Sequence, residues 1–201
     1  MSSISYAITA CNEHVELERL LNQLTEYIRP EDEIVVQMDL TATEEVVSVV
    51  EKYNLIKYYY SLNKDFASFK NNLKSLCTKD YIFQIDADEY LSEELLTYLP
   101  VILESNPDVE MFSVPRVNTV EGLTEQHIKQ WGWNVNEKGW VNFPDAQGRV
   151  FRKGMSWYGK VHERIIGGQK FSSLPLDEEY CIQHHKTIER QEKQNNYYIS
   201  L

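Results

Sequence analysis

The first 105 residues alternate between two apolar periods, and this alternation restricts the possible folds more than any other feature of the chain. Ile4, Tyr6 and Ile8 recur at every second position, as on one face of a strand, and Leu17, Leu20, Leu21, Leu24 and Ile28 then recur at helical spacing. The segment EIVVQM (Glu33 to Met38) reads as a second strand. After the break DLTAT, Val46, Val47 and Val50 mark a second helix, with Thr43 as its expected N-cap. Residues 56–61 and 81–85 read as third and fourth strands around a helical stripe of Phe66, Phe69, Leu73 and Leu76. A further helix is expected over residues 92–103, shortened or bent by Pro100. Strands and helices in such alternation, with short connections, specify an α/β fold in which a mostly parallel central sheet is flanked by helices. The 201 residues suit one domain, read here as a 1–114 half and a smaller 115–201 half.

Composition narrows the function. Residues 1–114 carry 8 basic against 21 acidic side chains, net −13, and residues 115–201 carry 12 against 10, net +2. An acidic chain repels nucleic acid, whose binding rests on Lys and Arg neutralising phosphates, so no nucleic-acid partner is expected. All eight glycines lie at or beyond Gly122. Neither a P-loop nor a GxGxxG fingerprint can therefore exist in the first half, because both need glycine for close backbone approach to phosphate. No apolar run reaches the roughly 20 residues of a membrane span and no secretory signal opens the chain, so a cytoplasmic protein without a transmembrane segment is expected. Cys11, Cys77 and Cys181 are odd in number and widely spaced, which argues for reduced thiols and against a cysteine-rich zinc site.

In open α/β sheets the ligand lies outside the carboxyl ends of the strands. Those ends here are Thr9-Ala10-Cys11-Asn12-Glu13, Asp39, Asn63-Lys64-Asp65 and Asp86-Ala87-Asp88-Glu89. Asp86 and Asp88, two apart on an extended segment, would point the same way and raise each other's pKa unless a cation lies between them. Mn²⁺ or Mg²⁺ suits such hard oxygen ligands and keeps positions open for substrate phosphates. The alternative is an acidic turn in which Asp88 and Glu89 favour the positive end of the next helix.

The segments ITACNEHVELERLL, VVQMDLTAT, NKDFASFKNNL and YIFQIDADEYL, in that order and spacing, resemble a family 2 glycosyltransferase of the GT-A fold over about residues 4–105. Further on, QGRVFRKGMSWYGKVHERI resembles the acceptor-side segment of bacterial members that build lipopolysaccharide cores, and CIQHHKT their late His-bearing strand. The resemblance implies a Rossmann-like sheet with an acceptor-side region, and transfer of a sugar, with inversion, from a nucleoside-diphosphate donor such as a UDP-hexose to a glycan or lipid-linked acceptor. It implies Asn12, Glu13 and Asp39 around base and ribose, Asp86 near ribose and metal, and Asp88 as the main metal ligand. Thr9, Ala10, Asn63, Phe66 and Ala87 complete the expected donor rim. Lys70 either reaches that rim from one turn inside its helix or lies on a solvated helix face.

The basic segment 149–164, with Arg149, Arg152, Lys153, Lys160 and Arg164, either holds an anion, with Arg152 assigned to the donor, or serves as strand-edge charge. Transfer needs a base for the acceptor hydroxyl; Glu163 is the first candidate and Asp145 the second, the alternative for both being surface ion pairing. Adjacent strand residues face opposite ways, so one of His184 and His185 can complete the metal shell, and His184 is preferred over a merely satisfied histidine. Trp133, Trp157 and His162 are the expected acceptor contacts, since aromatic faces pack on sugar C–H groups; the alternative is a second hydrophobic cluster. Residues 117–140 are expected to form a lid or contain a short helix, and 186–198 a terminal helix. Two other classes remain. One is a noncatalytic nucleotide-sugar binder of the same fold. The other is a sugar-phosphate nucleotidyltransferase, disfavoured because TACNEH has no glycine.

Overall fold

A computed structural model describes residues 2–199. In chain order the elements are β1 (Ile4–Ala10), α1 (His14–Tyr27), β2 (Glu33–Asp39), α2 (Glu44–Glu51), β3 (Ile56–Tyr60), α3 (Phe66–Leu76), β4 (Tyr81–Asp86), β5 (Glu89–Tyr90) and α4 (Glu93–Ser105). The second half adds β6 (Met111–Val114), β7 (Arg116–Glu121), α5 (Glu125–Trp131), β8 (Gln147–Arg152), β9 (Ser156–Tyr158), β10 (Arg164–Ile166), β11 (Phe171–Ser173), β12 (Ile182–Thr187) and α6 (Ile188–Ile199). The expected strands and helices of residues 4–105 all form. Thr43 caps α2 by accepting from the Val46 N–H, and Ser92 caps α4 in the same way from Leu95. Pro100 does not shorten α4, which runs five residues beyond it.

The central sheet has the order β11-β6-β8-β4-β1-β2-β3, with β8 antiparallel to both its neighbours and every other pairing parallel. Side-chain alternation sends its residues to two cores. Ile4, Tyr6 and Ile8 of β1, Ile34, Val36 and Met38 of β2 and Tyr81, Phe83 and Ile85 of β4 pack under the apolar stripes of α1, α2 and α4. Ala7, Val35 and Ile82 face the other way, under Ala67 and Leu73 of α3 and beside Phe151 and Trp157. Burying one such Leu or Ile is worth about 1.5–3 kcal/mol, so the two cores hold the sheet rigid beneath its polar rim.

Chain order reverses between β1 and β4, and register pairs Thr9 with Asp86 at that point. Open α/β sheets bind their ligands at such a reversal, in a crevice outside the carboxyl ends of the strands. A second, three-stranded sheet, β5-β12-β7, stands beside it and carries His184 and Arg116. The β9/β10 hairpin closes the other side, its loop joined to α3 by the Phe66 N–H donating to the Lys160 carbonyl. Residues 117–140 contain both β7 and α5. No helix among the described residues is long and apolar enough to cross a membrane.

Candidate active site

The Asp86–Ala87–Asp88 segment is not extended throughout. Asp86 ends β4 and residues 87–88 turn, while the charge of Asp86 still opposes ionisation of Asp88. Asp86 accepts from the Thr9 hydroxyl (3.1 Å) and, on its other oxygen, from both terminal nitrogens of Arg149 (3.3 Å). Burial opposes its ionisation, but the positive charges of Lys70, Arg149 and Arg116 outweigh this and hold the carboxyl well below its usual range. Asp88 instead faces His184 Nε2 at 3.3 Å and Arg190 at 3.5 Å. Burial again opposes ionisation, and the hydrogen bond and charge of His184 bring the pKa down to about 2. Asp86 is thus held by Arg149, and Asp88 faces His184.

Glu89, in the sequence a polar strand end or a charge for the positive end of the next helix, belongs to a buried network. It does not cap α4, a role taken by Ser92; it has no exposed surface and lies between Arg149 (2.8 Å) and Arg116 (3.0 Å). Its other oxygen accepts from the Asp86 N–H (2.9 Å), so it orients the end of β4. Arg116 continues the network to Asp145 at 2.7 Å, and Asp145 also accepts from the side-chain amides of Asn118 and Gln147. Burial opposes the charge of Asp145, but Arg116 and the amides hold its pKa below the ordinary value. Arg152 is a correction, since it lies away from the donor rim. Because β8 runs antiparallel to β4, Arg152 pairs with Tyr81 at the start of β4, lies over its ring at 4.1 Å and donates to the Pro107 carbonyl. The β8 arginine that reaches the rim is Arg149.

Glu163, in the β9–β10 loop, is paired with Lys70 at 2.6 Å, and both are largely buried. Lys70 lies inward on α3, its ammonium 4.7 Å from the Trp157 ring centre. Trp157 is itself core, edge-on to Phe151, and borders a cavity of about 740 Å³ with Tyr60, Asn71 and Tyr158. His162, in the same loop, is exposed with a left-handed φ of 54°. Trp133 belongs to a different cluster, at the end of α5 with Trp131 (4.7 Å) and, through Trp131, His127.

The remaining rim residues brace the crevice. Asp39 accepts from the Thr41 N–H and hydroxyl and, on its other oxygen, from the Leu62 N–H (2.6 Å); these bonds overcome burial and lower its pKa. One Glu13 oxygen accepts from the Cys11 and Asn12 N–H groups, and the other faces Arg190 at 3.6 Å. Asn12 is exposed. Asn63 sits exposed in the β3–α3 turn at φ 42°, Phe66 opens α3, and Ala10 and Ala87 are buried in the core, the Ala87 N–H donating to the Thr9 carbonyl. Helix α6 adds Arg190, and the end of β12 adds buried Lys186. His185 points to the other side and is exposed.

A divalent cation can be tested against this donor set. Among the described residues no group of three or more His, Cys, Asp and Glu converges as a closed metal cage. One carboxylate and one imidazole do converge, which suits an ion completed by substrate phosphates and water. The three cysteines are free, and Cys77 and Cys181 are buried.

The glycosyl transferase family 2 model matches residues 5–164, which span β1, the Asp86–Asp88 turn and Glu163. The chain belongs to this family. An uncharacterized glycosyltransferase of Rickettsia felis is 32% identical over 111 residues, 53% of this chain and 36% of that protein. Among solved structures, S. aureus TarS 1-349 in complex with UDP is similar with a TM-score of 0.59 at 16% identity, over 92% of this chain and 60% of that one. The UDP-GlcNAc complex of the same protein gives 0.56 at 17% identity, over 92% and 59%. The glycosyltransferase chain thus has the GT-A fold, and it spans about a third to three fifths of the length of these relatives.

Proposed function

We propose that this family 2 protein transfers a hexosyl group from a UDP-sugar to a hydroxyl of a glycan or lipid-linked acceptor, with inversion. The observation that carries this is the meeting of a carboxylate–imidazole pair, Asp88 and His184, with the cations Lys70, Arg149, Lys186 and Arg190 around one crevice. A nucleoside diphosphate with its divalent ion matches that mixture of charge. The structure of TarS with UDP, which shares the fold, supports the choice of nucleotide. Thr9, Asn12, Glu13, Asp39 and Asn63 would form the wall for base and ribose.

Asp88 and His184 would hold Mn²⁺ or Mg²⁺, which when bound supplies Lewis-acid stabilisation of the leaving diphosphate. Glu163 takes the proton of the acceptor hydroxyl as its oxygen bonds to the anomeric carbon and the bond from that carbon to the diphosphate oxygen breaks. Lys70 holds the Glu163 carboxylate at 2.6 Å until acceptor arrives. Arg149 and Lys186 place positive charge where negative charge develops on the diphosphate, and the cavity beside Trp157 and Tyr158 gives the acceptor an aromatic wall.

Incubation with UDP-hexoses is expected to release UDP and free sugar with Mn²⁺ and not with chelator. Full UDP release in the presence of chelator would defeat the metal assignment. The second reading, a noncatalytic UDP-sugar binder, is favoured by the engagement of Asp86 with Arg149. It would be established by a UDP-dependent rise in melting temperature without turnover of any donor.

A further inference from the structure

Asn118 of β7 and His184 of β12 are register partners on adjacent parallel strands, and their side chains meet, with His184 Nδ1 2.7 Å from Asn118 Oδ1. Which atom of the Asn118 amide faces the ring is decided one step further out. Its Nδ2 donates at 2.8 Å to Asp145 Oδ2, an oxygen that also receives Arg116 and has only lone pairs to offer. With the nitrogen committed to Asp145, the carbonyl oxygen must face His184, and an acceptor there requires a hydrogen on Nδ1. Nε2 then carries the lone pair of the neutral ring and turns it toward Asp88, 3.3 Å away. Two acceptors so opposed need a cation between them, either a proton or a metal ion.

We infer that Asn118 and Asp145 are positioning residues that lock His184 as the Nδ1–H tautomer, reserving Nε2 for a cation shared with Asp88. Only the identity of that cation as a divalent metal rests on the proposed function; the tautomer does not. The chain Arg116–Asp145–Asn118–His184 links the buried charge network to the site, and each member fixes the orientation of the next. Partners of this kind behind a metal-binding histidine typically change metal affinity by about 10–100-fold when removed.

Two-bond ¹H–¹⁵N correlation spectra of the metal-free protein, recorded where the His184 ring is neutral, report which nitrogen keeps its hydrogen. The expected result is Nδ1. Asn118→Leu removes the acceptor and should move the hydrogen to Nε2, whereas the double variant Asn118→Asp with Asp145→Asn retains an acceptor toward the ring with an amide donor behind it and should keep the hydrogen on Nδ1. A merely structural role for Asn118 would not separate these two variants in that way. If Asn118→Leu does not fold, Asp145→Asn, whose new amide can donate to Asn118 Oδ1, should populate both tautomers. Mn²⁺ titrations followed by electron paramagnetic resonance should show about 10–100-fold weaker binding for Asn118→Leu. A neutral wild-type ring with its hydrogen on Nε2, or an unchanged tautomer in a folded Asn118→Leu protein, would overturn the inference. A wild-type Nδ1–H ring in a protein that takes up no Mn²⁺ would sustain the inference and remove the metal from the proposed function.

Discussion

Glu89 and Asp88 are neighbours in sequence with opposite duties. Glu89, fully buried between Arg116 and Arg149, neutralises one buried guanidinium and one that is largely buried. Removing one member of such a buried network leaves charge uncompensated, a cost of about 3–5 kcal/mol. Glu89→Gln should therefore lower the unfolding free energy by about that amount in urea titrations. Asp88→Ala should abolish Mn²⁺-dependent UDP release. Retention of near-full activity in Asp88→Ala would sink the site assignment. Glu163→Gln should lower transfer by about 10²-fold or more with UDP affinity retained; a loss of UDP affinity instead would place Glu163 in the donor pocket. Asp86 and Asp88 were legible because they follow an apolar strand. Glu89 was not, because its partners lie 27 and 60 positions away. A signal did exist: Arg116 and Arg149 each interrupt an apolar run, VPRV and GRVF, where a charge needs a buried counter-charge.

At the scale of elements, periodicity sufficed wherever one face of a helix meets the sheet, as in α1, whose buried Leu17, Leu20, Leu21 and Leu24 are the residues picked out by spacing. Caps are equally local. Ser92→Ala should cost about 1 kcal/mol, measured by thermal or chemical unfolding, because its hydroxyl accepts the Leu95 N–H and no other side chain takes that place. The terminal helix was readable as a helix but not as part of the site. Its Arg190 reaches Glu13, Glu16 and Asp88, tying α6 to α1 and to the Asp88 turn. Arg190→Ala should change stability by less than about 1 kcal/mol, since the pairs are partly exposed. Loss of one charge-assisted hydrogen bond to diphosphate should weaken UDP binding by about tenfold in calorimetry. Unaltered UDP affinity would make Arg190 a helix anchor only.

For the whole molecule, charge organises the acid limb of stability. Asp39 and Asp145 have folded pKa values below their ordinary ones, each opposed by burial and outweighed by hydrogen bonds and, for Asp145, the Arg116 charge. A carboxylate depressed on folding contributes stability that is fully present above its unfolded pKa, about 3.9, and is lost as pH falls through the folded value. Denaturation midpoints should thus hold steady down to about pH 4 and fall below it. Asp39→Asn should flatten that fall; an acid limb unchanged in this variant would mean that the Thr41 and Leu62 bonds do not favour the charged form.

Sequence by itself determined the order of strands and helices through residue 105 and which polar residues stand on the rim at the carboxyl ends of the strands, because these follow from local periodicity and from where each strand stops. Tertiary structure alone decided which arginine of β8 reaches that rim, since Arg149 and Arg152 differ only in the end of an antiparallel strand that each occupies. It also decided that Asp145 accepts from Asn118 and Arg116, and that His184 meets Asp88, a pairing of side chains 96 residues apart. Contacts of that range depend on how two sheets stand against each other. No pattern within a single strand or helix encodes that relation.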